Sequence, residues 1–289
     1  MKNAREIAVK YAEDVISGKK VAGEYIKLAC KRFLADLQRE DIVFKDKKVN
    51  SLIEFASCLK HYTGSHSGKP FVLEDWQIFI ACNVYGFYWK ETNTRRYNQS
   101  YVQIARKSGK TFMTTLFSLF SLIADGEDAA EVICAANTRE QARISFEMAQ
   151  TLCRQLDPSG KVLKVLRNEI RFTPNNSKLR AIAAEANTQD GFNASAAILD
   201  EYGGSSNTKM KDVIKSSMAM RSNPILFIIT TAYFDKTSPC YSLREYGIEI
   251  IRELKEDDSF FVCIFEMDED DEWDNPNPVC PICEKYPCE

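Results

Sequence analysis

Apolar residues recur at helical spacing through residues 4–17, 24–39 and 49–62, which predicts a preface of three amphipathic helices. From residue 101 onward the pattern changes to short, unbroken apolar runs. These are Tyr101-Val-Gln-Ile, Glu131-Val-Ile-Cys-Ala-Ala, Ala194-Ser-Ala-Ala-Ile-Leu, Pro224-Ile-Leu-Phe-Ile-Ile and Phe260-Phe-Val-Cys-Ile-Phe. Helical patterns over residues 138–156 and 209–220 separate some of them, and Glu169–Thr173 and Leu179–Ala184 read as strands around a Pro174-Asn-Asn-Ser turn. Strands with no polar alternation are covered on both faces, so the pattern predicts an α/β fold with a mostly parallel sheet flanked by helices. No internal repeat is present.

The run ending at Ile104 enters the turn Ala105-Arg-Lys-Ser-Gly-Lys-Thr and leaves as a helix. Strand, glycine turn and helix N-terminus together form a phosphate-binding loop, in which backbone N–H groups surround the phosphates. Ser108, Gly109, Lys110 and Thr111 are the candidates, with Lys110 reaching the β/γ-phosphates and the Thr111 hydroxyl ligating Mg²⁺. The first glycine of G-x-x-x-x-G-K-[ST], the Walker A pattern, falls at Ile104, so the loop departs from the standard form.

Downstream, Ile198-Leu-Asp-Glu has the form of a Walker B strand end. Asp200 is the candidate for holding Mg²⁺ and Glu201 for polarising the attacking water, a division of labour that suits hydrolysis. Thr230 and Thr231 end the next apolar strand, at the edge where open α/β sheets bind ligands, and are candidates for sensing the γ-phosphate. Trp76 and Gln77 precede the loop. An indole can stack on adenine and a glutamine amide can read its edge, whereas Trp76 as a core anchor on an amphipathic helix is the plainer reading.

The chain has 289 residues and 45% hydrophobic content, enough for a substantial core, and no apolar run reaches the length of a membrane span. The first residues lack the apolar segment of a secretory signal. Most of the ten cysteines are scattered through helix and strand patterns, which reads as reduced core thiols. The net charge of −3 hides an asymmetry: residues 253–289 carry thirteen acids against two lysines, leaving 36 basic and 28 acidic residues before them. A basic body fits a polyanionic partner such as DNA, and equally an ordinary solvated surface beside an acidic tail.

Phe71-Val-Leu-Glu-Asp-Trp-Gln, Ala105-Arg-Lys-Ser-Gly-Lys-Thr, Asp190-Gly-Phe-Asn-Ala, Ile198-Leu-Asp-Glu and Ile228-Ile-Thr-Thr-Ala-Tyr-Phe-Asp occur in that order. With them the chain resembles the large terminase subunit of tailed bacteriophages over roughly residues 20–275. In that family an arginine stands inside a phosphate loop lacking its first glycine, as Arg106 does here. The resemblance implies a RecA/ASCE-like P-loop ATPase that uses ATP and Mg²⁺ to drive double-stranded DNA through a portal protein into an empty procapsid. It further implies a homo-oligomeric ring, a pentamer, partnered by the small terminase subunit. Such a motor acts in the host cytoplasm, docked transiently on the procapsid portal, and is absent from the mature virion and from membranes.

On this basis residues 1–66 are expected to form the helical preface, 67–266 the ATPase core and 267–289 an acidic linker or tail. Complete relatives continue past a Trp-Asp-x-Pro linker into a nuclease domain. This sequence stops soon after Trp273-Asp-Asn-Pro, so no nuclease activity is expected from it. Cys280, Cys283 and Cys288 offer thiolates for a structural zinc but lack a fourth ligand, and a frayed or truncated tail is the more economical reading. Ring motors take a stimulating arginine from a neighbouring subunit. Arg221 is the first candidate, Lys236 and Arg244 follow, and Arg106 is the candidate acting within its own subunit. Two alternatives remain: another DNA-dependent ATPase or translocase, which would need a second RecA-like domain, and a truncated nucleotide-binding remnant without turnover.

Overall fold

The computed structural model describes residues 3–183 and 191–268. Helices α1 (Ala4–Ile16), α2 (Glu24–Asp36) and α3 (Asp46–Cys58) form the preface. Asn3 caps α1 by accepting the Arg5 amide. Helix α4 (Asp75–Gly86) follows, opened by a capping box in which Glu74 and Gln77 exchange side-chain and backbone hydrogen bonds. Its sequence is apolar on every side, and all its residues except Asp75 are buried beneath α1 and α3. Strands β1 (Ile42–Phe44) and β2 (Phe87–Trp89) pair antiparallel at its end.

The main sheet takes β3 (Gln99–Gln103), β4 (Glu131–Ala136), β5 (Leu163–Val165), β6 (Glu169–Phe172), β7 (Ser177–Ala183), β8 (Ala196–Asp200), β9 (Ile225–Thr230) and β10 (Phe260–Ile264). Their order is β10-β3-β9-β8-β4-β7-β6-β5. From β10 to β7 every pairing is parallel, as the continuous apolar runs require. The β5–β6–β7 edge is antiparallel, because β6 and β7 join through the short Pro174 turn and no crossover helix intervenes. Helices α5 (Lys110–Ile123), α6 (Arg139–Leu156), α7 (Lys209–Ser217) and α8 (Pro239–Ile251) complete the unit. The last was not expected from the sequence, although Ser238 caps it and Pro239 opens it.

Strand residues alternate between two cores. Val132, Ile198, Phe227 and Phe261 join one that also contains side chains of α1 to α6, while Ile133, Leu199, Ile228 and Val262 join a smaller one with α7 and α8. No helix among the described residues is long and apolar enough to cross a membrane.

The preface is tied to the sheet by buried charge. Arg95 donates to the Val84 carbonyl at 3.0 Å and to Asp125 at 2.7 Å, and its guanidinium lies over the Tyr85 ring. Arg96 pairs with Asp36 of α2 and donates to Asp258 at 2.7 Å, while Tyr97 donates to Asp36 at 2.8 Å. Farther on, Arg32 of α2 reaches the Phe260 and Asp257 carbonyls. The N-terminus of α2 receives Asp268, whose carboxylate accepts the Glu24 amide at 2.7 Å. Gly23 permits that approach, since a Cβ there would collide with the Glu266 carbonyl oxygen.

Candidate active site

The apolar strands β3, β9 and β8 lie side by side, and each turns polar at its carboxyl end. Three such ends open on one side of the sheet, where a ligand meets loops and helix N-termini with no competing side chains beneath it. After β3 the chain makes a tight turn with Lys107 at φ 65° and Gly109 at φ 75°, and Ser108 between them. Left-handed backbone at Gly109 costs little, and it brings the chain straight into α5. No side chain caps that helix, so its first-turn N–H groups remain available to an anion.

Lys110 projects from this turn onto both acids of β8. Its ammonium lies 3.0 Å from Asp200 Oδ1 and also contacts Glu201 Oε1. Burial pushes the Asp200 carboxyl above its ordinary range, and the Lys110 charge opposes that shift. Ser145 of α6 donates to Asp200 Oδ2 at 3.4 Å. Asp200 Oδ1 itself is buried and accepts no well-aligned hydrogen bond, and the Lys110 nitrogen is likewise unmatched: the pair is close but poorly oriented. Thr111 lines the same cavity. A carboxylate with an unmatched oxygen at Asp200 and a hydroxyl at Thr111, in the first turn of α5, are oxygen donors of the kind Mg²⁺ takes, so the residue types fit that ion.

Glu201 has left-handed backbone at φ 55°, an uncommon conformation for a residue with a side chain. Asn137, at the end of β4, donates to the Glu201 carbonyl at 2.5 Å and accepts from Ser205 at 2.5 Å. The carboxylate of Glu201 accepts from the Thr231 hydroxyl at 3.4 Å. Thr230 differs from its neighbour: fully buried, it accepts the Gly203 amide at 3.0 Å and donates to the Thr231 carbonyl at 2.9 Å. Thr231 therefore faces the cavity, whereas Thr230 ties the loop after β8 to β9. Tyr233 packs flush on Gly203, where a Cβ would run into its ring.

Neither Trp76 nor Gln77, the candidates for adenine recognition, lines the cavity. Trp76 is 4% exposed and packs edge-on against Phe265 at 5.4 Å, as the core-anchor reading anticipates. Gln77 accepts the Glu74 amide at 3.0 Å, and its amide nitrogen comes within 3.6 Å of where a Cβ on Gly109 would stand. It thus supports the phosphate loop from beneath. The cavity, about 620 Å³, runs instead from the loop to an aromatic wall that the sequence reading missed. Phe71 and Phe112 stack there at 3.6 Å and 8°, and His61 lies on Phe71 at 3.7 Å. Burial, then His66 and Lys69, hold the His61 pKa below its ordinary value. Aromatics at residues 61, 71 and 112 share no local spacing, so no motif announces them.

The four cations divide cleanly. Arg221 lies at the amino ends of β4, β8 and β9, a strand's length of about 20 Å from the phosphate loop. Its guanidinium donates to the carbonyls of Asp128, Ala129 and Asn193 and to Glu127. Arg244 pairs with Glu245 and Glu266 and packs on Tyr25. Arg106 lines the cavity and is exposed, and Lys236 is exposed on the loop after β9. Asp190, Cys280, Cys283 and Cys288 lie outside the described residues.

Residues 75–249 match the family model for the terminase large subunit, ATPase domain. Among solved structures, the large terminase of bacteriophage HK97 superposes with a TM-score of 0.65 at 22% identity, covering 78% of this chain and 45% of that one. The large terminase ATPase domain of Thermus phage P74-26 gives 0.47 at 18% identity, covering 58% and 75%. Protein YmfN of Escherichia coli K12 is 31% identical over 87 residues, which is 30% of this chain and 19% of that protein. The chain spans less than half the length of YmfN and of the HK97 protein. With more than half of its residues under the family model, the chain belongs to the terminase large subunit family and carries its ATPase domain.

Proposed function

We propose that this chain hydrolyses ATP with Mg²⁺ to move double-stranded DNA into a viral procapsid, as one member of a homo-oligomeric ring. The observation that carries this reading is that Lys110, which lines the cavity with Glu201 and Thr231, meets the carboxylates of both Asp200 and Glu201 at the N-terminus of an uncapped helix. Phosphate oxygens entering the loop compete for the Lys110 ammonium and draw it off the two carboxylates. Asp200 and Thr111 would hold Mg²⁺, which when bound would supply neutralisation of phosphate charge. Glu201, steadied by Thr231, takes a proton from water as its oxygen bonds to the γ-phosphorus and the bond to the β-phosphate oxygen breaks, leaving ADP and phosphate. With Arg221 and Arg244 committed to internal partners, Arg106 is assigned the transition-state charge in its own subunit, and Lys236 is the candidate reaching a neighbour. The basic body supports a DNA partner, and the portal and small terminase subunit are the docking partners this reading supplies.

The test is hydrolysis measured with and without double-stranded DNA. Glu201→Gln is expected to bind ATP and lose turnover. Arg106→Ala is expected to lower turnover with affinity kept, while Arg221→Ala lowers melting temperature and leaves turnover per folded molecule intact. Wild-type turnover by Glu201→Gln would sink the assignment of the water-activating group.

A further inference from the structure

Helices α4 and α6 open with the same local pattern and complete it differently. A glutamine at the third position of a helix can reach back to the backbone N–H that opens it, closing a capping box. Gln77 does so at α4, where it accepts the Glu74 amide at 3.0 Å. Helix α6 opens with Thr138-Arg-Glu-Gln, and the Thr138 hydroxyl accepts the Gln141 amide at 3.2 Å. The return arm is not made. Gln141 Oε1 is buried and has no hydrogen-bond partner among the described residues. A buried acceptor left unpaired costs stability, so its place calls for a donor that the neighbouring side chains do not supply.

Gln141 stands between two spaces. It borders the nucleotide cavity with Lys110, Thr111 and Glu201, and it borders a gap of about 10 Å³ that Asp200, Ser145 and Thr114 also line. That volume is about the least that holds one water. Asp200 brings a second unmatched acceptor, its buried Oδ1. Ser145, one helical turn along α6 from Gln141, donates to Asp200 Oδ2 at 3.4 Å. The Ser145 carbonyl accepts the Thr115 hydroxyl at 3.4 Å, which ties this turn of α6 to α5, the helix that carries Lys110 and Thr111. Acceptors from α6 and β8 therefore meet beside the phosphate loop and are fixed relative to it. A water, with two hydrogens to donate, matches two such oxygens, and Mg²⁺ dehydrates reluctantly and usually keeps several waters.

We propose that Gln141 is a positioning residue of the metal site: its Oε1 accepts a hydrogen bond from a water that Asp200 shares with Mg²⁺, which sets where the ion stands against Thr111 and the phosphates. The inference rests on the nucleotide-hydrolysis reading above and adds to it the residue that orients the ion's water. An amide oxygen suits this place because it accepts without adding a third negative charge beside Asp200 and Glu201. Groups in such an outer position orient the ligands that touch the metal, and removing one typically costs about 10–100-fold in metal affinity or activity.

The experiment uses the full chain in a Glu201→Gln background, so that binding is read without turnover. ATP is titrated calorimetrically in EDTA and at a series of Mg²⁺ concentrations, and linkage between the two ligands gives the metal affinity of the ATP complex. Adding Gln141→Leu is expected to lower that affinity about 10–100-fold, while the Kd for ATP in EDTA stays within about two-fold. Adding Gln141→Glu, which keeps an acceptor oxygen and attracts the cation, is expected to hold or raise it. With Glu201 intact, Gln141→Leu should lower kcat at low Mg²⁺ and recover it as Mg²⁺ is raised. Leucine also removes an unpaired buried acceptor, so the melting temperature of the nucleotide-free protein should equal or exceed that of its parent. An unchanged metal affinity in Gln141→Leu overturns the proposal. So does an equal loss in Gln141→Glu, which would make Gln141 a donor to Asp200. A lowered melting temperature, with a kcat that no Mg²⁺ concentration restores, marks a structural role and overturns it too. Each of these results leaves hydrolysis standing, whereas failure of Glu201→Gln to bind ATP at any Mg²⁺ concentration overturns the hydrolysis reading itself.

Discussion

Strand β3 has a charged cluster at each end, and the two are built on opposite terms. At its amino end, Arg95 and Arg96 are each about 1% exposed in the side chain, stacked on tyrosines and paired with Asp125, Asp36 and Asp258. At its carboxyl end, Lys110, Asp200 and Glu201 keep 12–24% of their side-chain surface, line a cavity, and leave an ammonium and a carboxylate oxygen without aligned hydrogen bonds. Positive φ at Lys107 and Glu201 adds backbone strain to the second cluster. Similar groups thus hold the molecule together at one end and stay available at the other. Unmatched polar atoms occur at both ends, Arg95 Nε, Arg96 Nε and Asp125 Oδ1 among them, so the difference is access: the two arginines are shut off from solvent, whereas Lys110 and Glu201 open on a cavity.

The sharpest way to break the comparison is at the amino end. Arg96→Ala leaves Asp36 buried without its ion pair, and removing one member of such a pair costs about 3–5 kcal/mol. At about 2–4 °C per kcal/mol for a chain of this size, melting should fall by roughly 10 °C. The ATP dissociation constant of the protein that remains folded should be unchanged, and a melting curve matching wild type would refute the stapling role.

Lys110→Ala is expected to do the reverse. Turnover should fall by about 10²–10³-fold, the scale for losing one donor to developing charge. Nucleotide affinity drops as well, and the melting temperature moves by only a degree or two. Paired hydrolysis assays and calorimetric scans check it, and a large melting shift would mean that the site is also structural.

Asp258 supplies the smallest and most selective effect. Burial alone would raise its pKa, but hydrogen bonds from Arg39 and Arg96 prevail and bring it from 3.8 to about 2. A depressed acid contributes stability that is complete above its ordinary value and vanishes as pH falls through the folded one, so the window runs from about pH 4 to pH 2. Because the side chain is 46% exposed, Asp258→Asn should cost less than about 1 kcal/mol at neutral pH. The gap from wild type should narrow in urea titrations as pH falls from 5 toward 3. A gap independent of pH would remove Asp258 from the amino-end cluster.

Much of the fold was legible because strands β3, β4, β8, β9 and β10 are buried on both faces and must be apolar throughout. The glycine turn into α5 and the acidic end of β8 at Asp200 and Glu201 were legible because each is a short local pattern. What escaped depends on distant neighbours. Helix α4 is apolar all round, so no periodicity tells which way Trp76 points, and only Phe265 settles it. Arg221 looked free because its partners are main-chain carbonyls at residues 128, 129 and 193, and a carbonyl leaves no mark in a sequence. The Phe71–Phe112 stack joins residues on either side of β3 and follows no repeat.

The clasp of α2 on β10 also sets a timetable for synthesis. Arg32 and its acceptor at Phe260 are 228 positions apart in the chain, so a ribosome adding about 5–20 residues per second needs roughly 10–45 s to produce the second after the first. Throughout that interval the face of α2 that belongs against β10 has nothing to cover it. Slow translation or a shortage of chaperones should therefore harm the yield of this protein first through its earliest helices, long before the nucleotide cavity exists.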